Sequence, residues 1–131
     1  MRAQLPPADV VCGILSSIED ITGPRASYAL FHYGASEEGK RLVASGAIPD
    51  LDHAFTLLKD VFAHRAELVS ESGGAIVVKA TPASEWTPAL RGAVLGLLEG
   101  VITAQRRVRH SGTIRPSSED GPFVMEFRET G

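Results

Sequence analysis

The residues Thr87-Pro88-Ala89-Leu90-Arg91-Gly92-Ala93-Val94-Leu95-Gly96-Leu97-Leu98-Glu99-Gly100-Val101-Ile102-Thr103 decide how this chain folds. Threonine ahead of proline is a strong helix start. The hydroxyl caps a free backbone N–H, and proline at the first helical position lacks an N–H that would go unsatisfied. From there to about residue 103 the segment is apolar almost all round. Leu90, Val94, Leu97, Leu98 and Val101 cluster on one side, and Ala89, Gly92, Ala93, Gly96 and Gly100 lie opposite. A helix apolar on both sides is buried on both, so this one belongs at the centre of the domain. Gly92, Gly96 and Gly100 are four apart and share a face, at a cost of up to about 1 kcal/mol each in helix propensity. Tight packing of the helix on a sheet is the favoured reading of that face. Room left beside the helix for a ligand is the sharper one.

Working outward, three helices are expected upstream, over 8–21, 26–45 and 50–64. The first follows Pro6 and Pro7 and carries Val10, Val11, Ile14, Leu15, Ile18 and Ile21 on one arc. Thr22-Gly23-Pro24-Arg25 breaks it. The second has the stripe Tyr28, Phe31, Ala35, Leu42 and Val43, interrupted by Gly34 and Gly39. Asp50 is a plausible N-cap for the third, whose inward face is Leu51, Ala54, Phe55, Leu58, Val61 and Phe62. After His64 the period changes. Strands are expected over 65–70 and 75–80 around the turn Glu71-Ser72-Gly73-Gly74, and over 106–111 and 122–128 on either side of a long polar loop. The fold class is therefore α+β, with N-terminal helices and one buried glycine-containing helix packed on a small antiparallel sheet. A single domain spans 8–128, with short tails at 1–7 and 129–131.

The composition narrows the function classes. With 131 residues and 44% hydrophobic content, the chain has material for one real core and is not disordered. A net charge of −3 argues against a nucleic-acid binder. One cysteine, Cys12, excludes an internal disulfide framework or a multi-cysteine metal site, and fits a reducing, cytoplasmic setting. No apolar run is long enough to span a bilayer, and no secretory signal is visible.

The candidate chemistry is sparse. His53, Asp60 and His64 fall on one side of the third helix, but His53 lies about 10 Å from Asp60 along the axis, too far for one metal. A solvated polar face is the better reading, and no metal ligand set is assigned. His32, on the edge of the second helix's stripe, reads as a partly buried structural histidine, because no second catalytic group stands at recognisable spacing. Cys12 reads as a passive thiol. The basic run Arg106, Arg107, Arg109, His110 and Arg115 is the one positive cluster, and solubility is favoured over binding of an anionic partner, since Glu119, Asp120, Glu126 and Glu129 can neutralise it. In a strand, Arg107 and Arg109 would share one face, and Arg106, Val108 and His110 the other. No phosphate loop, serine elbow or dinucleotide fingerprint is present. No catalytic residue and no cofactor is assigned.

Three local patterns carry a family resemblance. The stretch Tyr33-Gly34-Ala35-Ser36-Glu37-Glu38-Gly39-Lys40-Arg41-Leu42 resembles the glycine-paired second helix of 4-vinyl reductase domains, which belong with the hydrocarbon-binding proteins and, more distantly, the TRAPP transport-particle subunits. Leu90 to Gly100 resembles the family's long glycine-containing helix, and Gly121-Pro122-Phe123-Val124-Met125-Glu126-Phe127 its closing strand. The resemblance implies an α+β fold with a hydrophobic pocket between helices and sheet, and a homodimer through the N-terminal helices. It departs from the family at the final hairpin, where many members carry cysteines and Gly112 to Phe127 has none. A redox or metal role tied to those cysteines has no support here.

The leading expectation is a non-catalytic sensor or carrier for an apolar or amphipathic, lipid-like ligand. Its pocket would be lined by Phe31 from the second helix, by Phe55, Leu58 and Phe62 from the third, and by Leu90, Val94, Leu97 and Leu98 from the fourth. The alternative is a protein–protein assembly subunit without ligand, and the third is a tetrapyrrole-related enzyme. Apolar stripes on the first two helices predict self-association into a homodimer.

Overall fold

The computed structural model describes residues 14, 17–62, 64–72, 74–82, 87–115 and 123–130. A helical segment α1, described over 17–22, leads into α2 (Pro24–Ala44), α3 (Leu51–Phe62), the strands β1 (His64–Ser72) and β2 (Ala75–Pro82), the helix α4 (Pro88–Arg106), and the strands β3 (His110–Arg115) and β4 (Phe123–Glu129). All neighbouring strands are antiparallel, in the order β1-β2-β4-β3. The α+β architecture follows the expected element order throughout the described residues.

Where the boundaries differ, the local chemistry explains it. Gly23 alone breaks the chain between α1 and α2. Its φ of 89° suits glycine, and Pro24 starts the next helix two residues earlier than expected. Asp50 caps α3 as read, its carboxylate accepting from His53 N–H at 2.9 Å, and Thr87 caps α4 by accepting from Leu90 N–H at 3.3 Å. The expected end of the buried helix at 103 and the strand start at 106 are both wrong. The helix continues to Arg106 and stops where Arg107 turns left-handed, with φ 57°, so the strand begins only at His110. Arg106, Arg107 and Arg109 therefore do not alternate across a strand as the basic run suggested. The hairpin is tighter than expected, with Ser72 paired to Ala75 and Gly74 at φ 78°.

The core is one cluster. Cross-strand pairs Ile76–Phe127, Val78–Met125 and Ala80–Phe123 form its floor, and α4 lies over them, with Leu90, Val94, Leu95, Leu97, Leu98, Val101 and Ile102 buried. Burying a Leu, Val or Phe side chain contributes about 1.5–3 kcal/mol each, so this layer dominates stability. Gly112 is part of the fit. A Cβ there would meet the Phe127 ring at 2.7 Å and Leu95 Cδ1 at 2.9 Å. The sheet's other face is polar, and Glu126 on it accepts from Arg115 Nη2 at 2.6 Å and pairs with Arg128. No helix among the described residues is long and apolar enough to cross a membrane.

Candidate functional site

The glycine face of α4 packs on a helix, not on the sheet, and the α2 backbone fills the room that the glycines leave. A Cβ on Gly92 would meet the Tyr28 carbonyl oxygen at 2.5 Å, and at Gly96 and Gly100 it would run still closer to the carbonyls of His32 and Ser36. Both rows step by four residues, so α2 and α4 run parallel with backbone against backbone. From the other side, Gly39 of α2 sits against Leu97 O and Val101 N. The buried residues of α2 are accordingly Ser27, Ser36 and Gly39, while Tyr28, Phe31, Ala35, Leu42 and Val43 pack partly buried against the core.

One charged group is built into this seam. Glu99 of α4 accepts from His32 Nε2 at 2.9 Å, from the Gly112 N–H of β3 at 2.9 Å and from Ser36 Oγ at 3.4 Å. A single carboxylate thus ties together α2, α4 and β3. Its hydrogen bond to Glu99 pulls His32 above the usual 6.5, against a smaller opposing effect of burial. Burial pushes Glu99 upward, but the donors from His32, Gly112 and Ser36 outweigh it and hold the carboxyl below the usual 4.5. Tyr28 lies against His32, ring centroids 5.7 Å apart at 58°. Burial, with Glu99 nearby, raises its phenol, and Arg91 partly offsets this.

Two clefts open beside the seam, with Tyr28 in the wall of both. The first, about 500 Å³, is lined by Pro24, Arg25, Tyr28, Pro88, Arg91 and Ile114. The second, about 380 Å³, runs from Tyr28 along His32, Tyr33, Ser36 and Lys40 of α2 to Glu99 and Thr103 of α4, and to Arg109 and His110. Both volumes fall in the roughly 300–1,000 Å³ range of small-molecule sites. The groove grades from prolines, an aromatic ring and isoleucine, with Arg25 and Arg91 among them, to hydroxyls, imidazoles, Lys40, Arg109 and the acids Glu37 and Glu99.

Of the eight residues expected to line a pocket, Leu58, Leu90, Val94, Leu97 and Leu98 are brought together in the buried core. Phe31 and Phe55 pack partly buried against it, and the Phe62 side chain lies outside the described residues. None of the other seven lines either cleft. His53 bonds through Nδ1 to Asp50 at 2.6 Å, Asp60 is exposed on α3, and His64 begins β1 instead of continuing the helix, so the three do not share a helix face. Among the described residues no group of three His, Cys, Asp or Glu side chains converges as for a metal. Cys12 lies outside the described residues. Glu99 is the residue that reading the sequence passed over. Its signal was a lone carboxylate in an otherwise apolar helix, and its partner His32 stands 67 positions away.

In three dimensions the chain is similar to subunit 3 of a trafficking protein particle complex from Naegleria fowleri, solved covalently bound to palmitic acid. The TM-score is 0.61 at 10% identity, covering 95% of this chain and 93% of that one. No protein-family model matches the sequence, and no curated relative does. The fold is thus TRAPP-like, and membership of the 4-vinyl reductase family has no support from the family models.

Proposed function

We propose that this domain binds an amphipathic small molecule, acting as a sensor or carrier. The observation that carries the reading is the graded groove whose two clefts share Tyr28. An apolar body is accommodated against Pro24, Tyr28, Pro88 and Ile114, and a polar end beside His32, Ser36 and Arg109. The palmitic acid carried by the similarly folded trafficking subunit supports a lipid-like ligand class. Native mass spectrometry of the purified protein, with titrations of dodecanoate and 1-dodecanol, tests it. A retained molecule, or saturable binding of either probe, is expected. No retained molecule and no binding of either would contradict the reading. The interior version of the proposal, with the ligand among the expected pocket residues around Val94, separates from the groove through Val94→Trp. Uptake lost with the fold intact places the ligand inside. Uptake retained places it in the groove.

A second reading, assembly through the first two helices, rests on a different observation. Ile21, Leu30 and Tyr33 are 84%, 57% and 71% exposed on α1 and α2, a concentration of apolar surface that marks interfaces. Light scattering should show a dimer that Leu30→Asp dissociates. A wild-type monomer at high concentration would remove this reading.

A further inference from the structure

The basic run is sorted by the structure into different fates. Arg106 pairs with Glu71, and Arg115 shares Glu126 with Arg128. Arg107 forms the left-handed end of α4. Arg109 has no carboxylate partner among the described residues and lines the polar cleft.

Across the cleft stand Lys40, held to Glu37 only by an exposed contact of 3.3 Å, the hydroxyl residues Tyr33 and Ser36, and His32. His110 completes the wall, with Nδ1 donating to the Val108 carbonyl at 2.7 Å. The cleft's two acids are already engaged, Glu37 by Lys40 and Glu99 by three donors. Among the described residues the cleft is therefore left with an excess of donors and with Arg109 unpaired to any carboxylate, next to the cleft of Pro24, Pro88 and Ile114, which Arg25 and Arg91 also line.

Resting on the ligand reading above, we infer that the bound molecule is an amphipathic acid whose anionic head, carboxylate or phosphate, is held in the polar cleft by Arg109, with its apolar body toward Pro24 and Ile114. Arg109 is an exposed residue lining the cleft; its guanidinium favours an anion through charge-assisted hydrogen bonds, and a neutral alcohol makes little use of it.

The test compares dodecanoate, dodecyl phosphate and 1-dodecanol on the whole chain by calorimetric titration, below their aggregation concentrations. Wild type should prefer at least one acid over the alcohol by roughly tenfold, the value of a charge-assisted hydrogen bond. Arg109→Gln should abolish most of that preference while 1-dodecanol binds as before, and Arg107→Gln should keep it. The preferred acid identifies the head group. Equal binding of acids and alcohol by wild type would overturn the inference and leave the ligand reading intact, as would a preference that survives in Arg109→Gln. Failure of all three probes on protein that retains no molecule of its own would instead remove the ligand reading itself.

Discussion

The two faces of α4 are buried by opposite means. Toward the sheet, Leu95 reaches Gly112 and the Phe127 ring, and long side chains interlock as in any close-packed core. Toward α2, glycines meet carbonyls, backbone against backbone, with the Glu99 side chain reaching across to His32 and Ser36. The sheet side is tight because of the atoms it has, and the α2 side because of the atoms it lacks. The groove lies beside the second kind of contact, where two backbones are locked in register and the side chains flanking them, Tyr28, His32 and Ser36, are held at fixed spacing.

That contrast predicts opposite responses to opposite changes. Adding atoms to the seam should have the largest effect. Gly100→Val would drive a branched side chain into the Ser36 backbone, which no rotamer relieves, and we expect the cooperative unfolding transition to be lost by thermal circular dichroism. A variant that melts like wild type would break the contrast. Removing atoms from the sheet side comes next. Leu95→Ala should cost about 2–5 kcal/mol in denaturant unfolding, through lost burial and a cavity above Gly112.

The Glu99 link sharpens the picture through pH. His32 is raised by its partner, so its contribution is complete below about pH 6.5 and is lost as pH rises through its folded value. Glu99 is lowered, so its contribution is complete above about pH 4.5 and is lost as pH falls through its folded value. Stability from the pair should therefore be fullest between those limits. Tyr28, Lys40, Arg109 and His110 face the same cleft, so the quantity to read is the difference between wild type and Glu99→Gln across pH. Glu99→Gln should cost most inside the window, about 1–3 kcal/mol, less above it, where only the His32 share is lost, and least below it, where the carboxyl is protonated. A difference that is flat with pH would separate the pair from the stability it is assigned.

The smallest expected effect has the reverse sign. Gly34 of α2 has open space where Gly39, one turn on, meets α4. Gly34→Ala should stabilise by up to about 1 kcal/mol, the ordinary helix-propensity gain, whereas Gly39→Ala should destabilise.

The same contrast explains what was legible beforehand. α3 was readable because Leu51, Ala54, Phe55 and Leu58 mark its inner face by hydrophobic spacing, and β4 because Phe123, Met125 and Phe127 alternate onto the floor of the core. The glycine row of α4 was legible as a close-contact face, but its partner was assigned to the sheet. The helix that fits it presents carbonyls, Ser36 and Gly39, none of which contributes a hydrophobic period. The site was least legible, since His32, Glu99 and Arg109 come from α2, α4 and the turn before β3, and only the parallel packing of α2 on α4 brings them to one cleft. The basic run was visible, but which of its arginines pair with an acid among the described residues depended on where Glu71 and Glu126 lie.

The central claim, that the seam is sealed and the groove beside it binds, is tested most directly by following backbone amide resonances of the whole protein during titration with dodecanoate. The account predicts saturable shifts at Tyr28, His32, Arg109 and Ile114, with the sheet-facing residues Val78, Leu95 and Met125 unmoved. Shifts concentrated at those sheet-facing residues, or none with dodecanoate, dodecyl phosphate or 1-dodecanol, would contradict it.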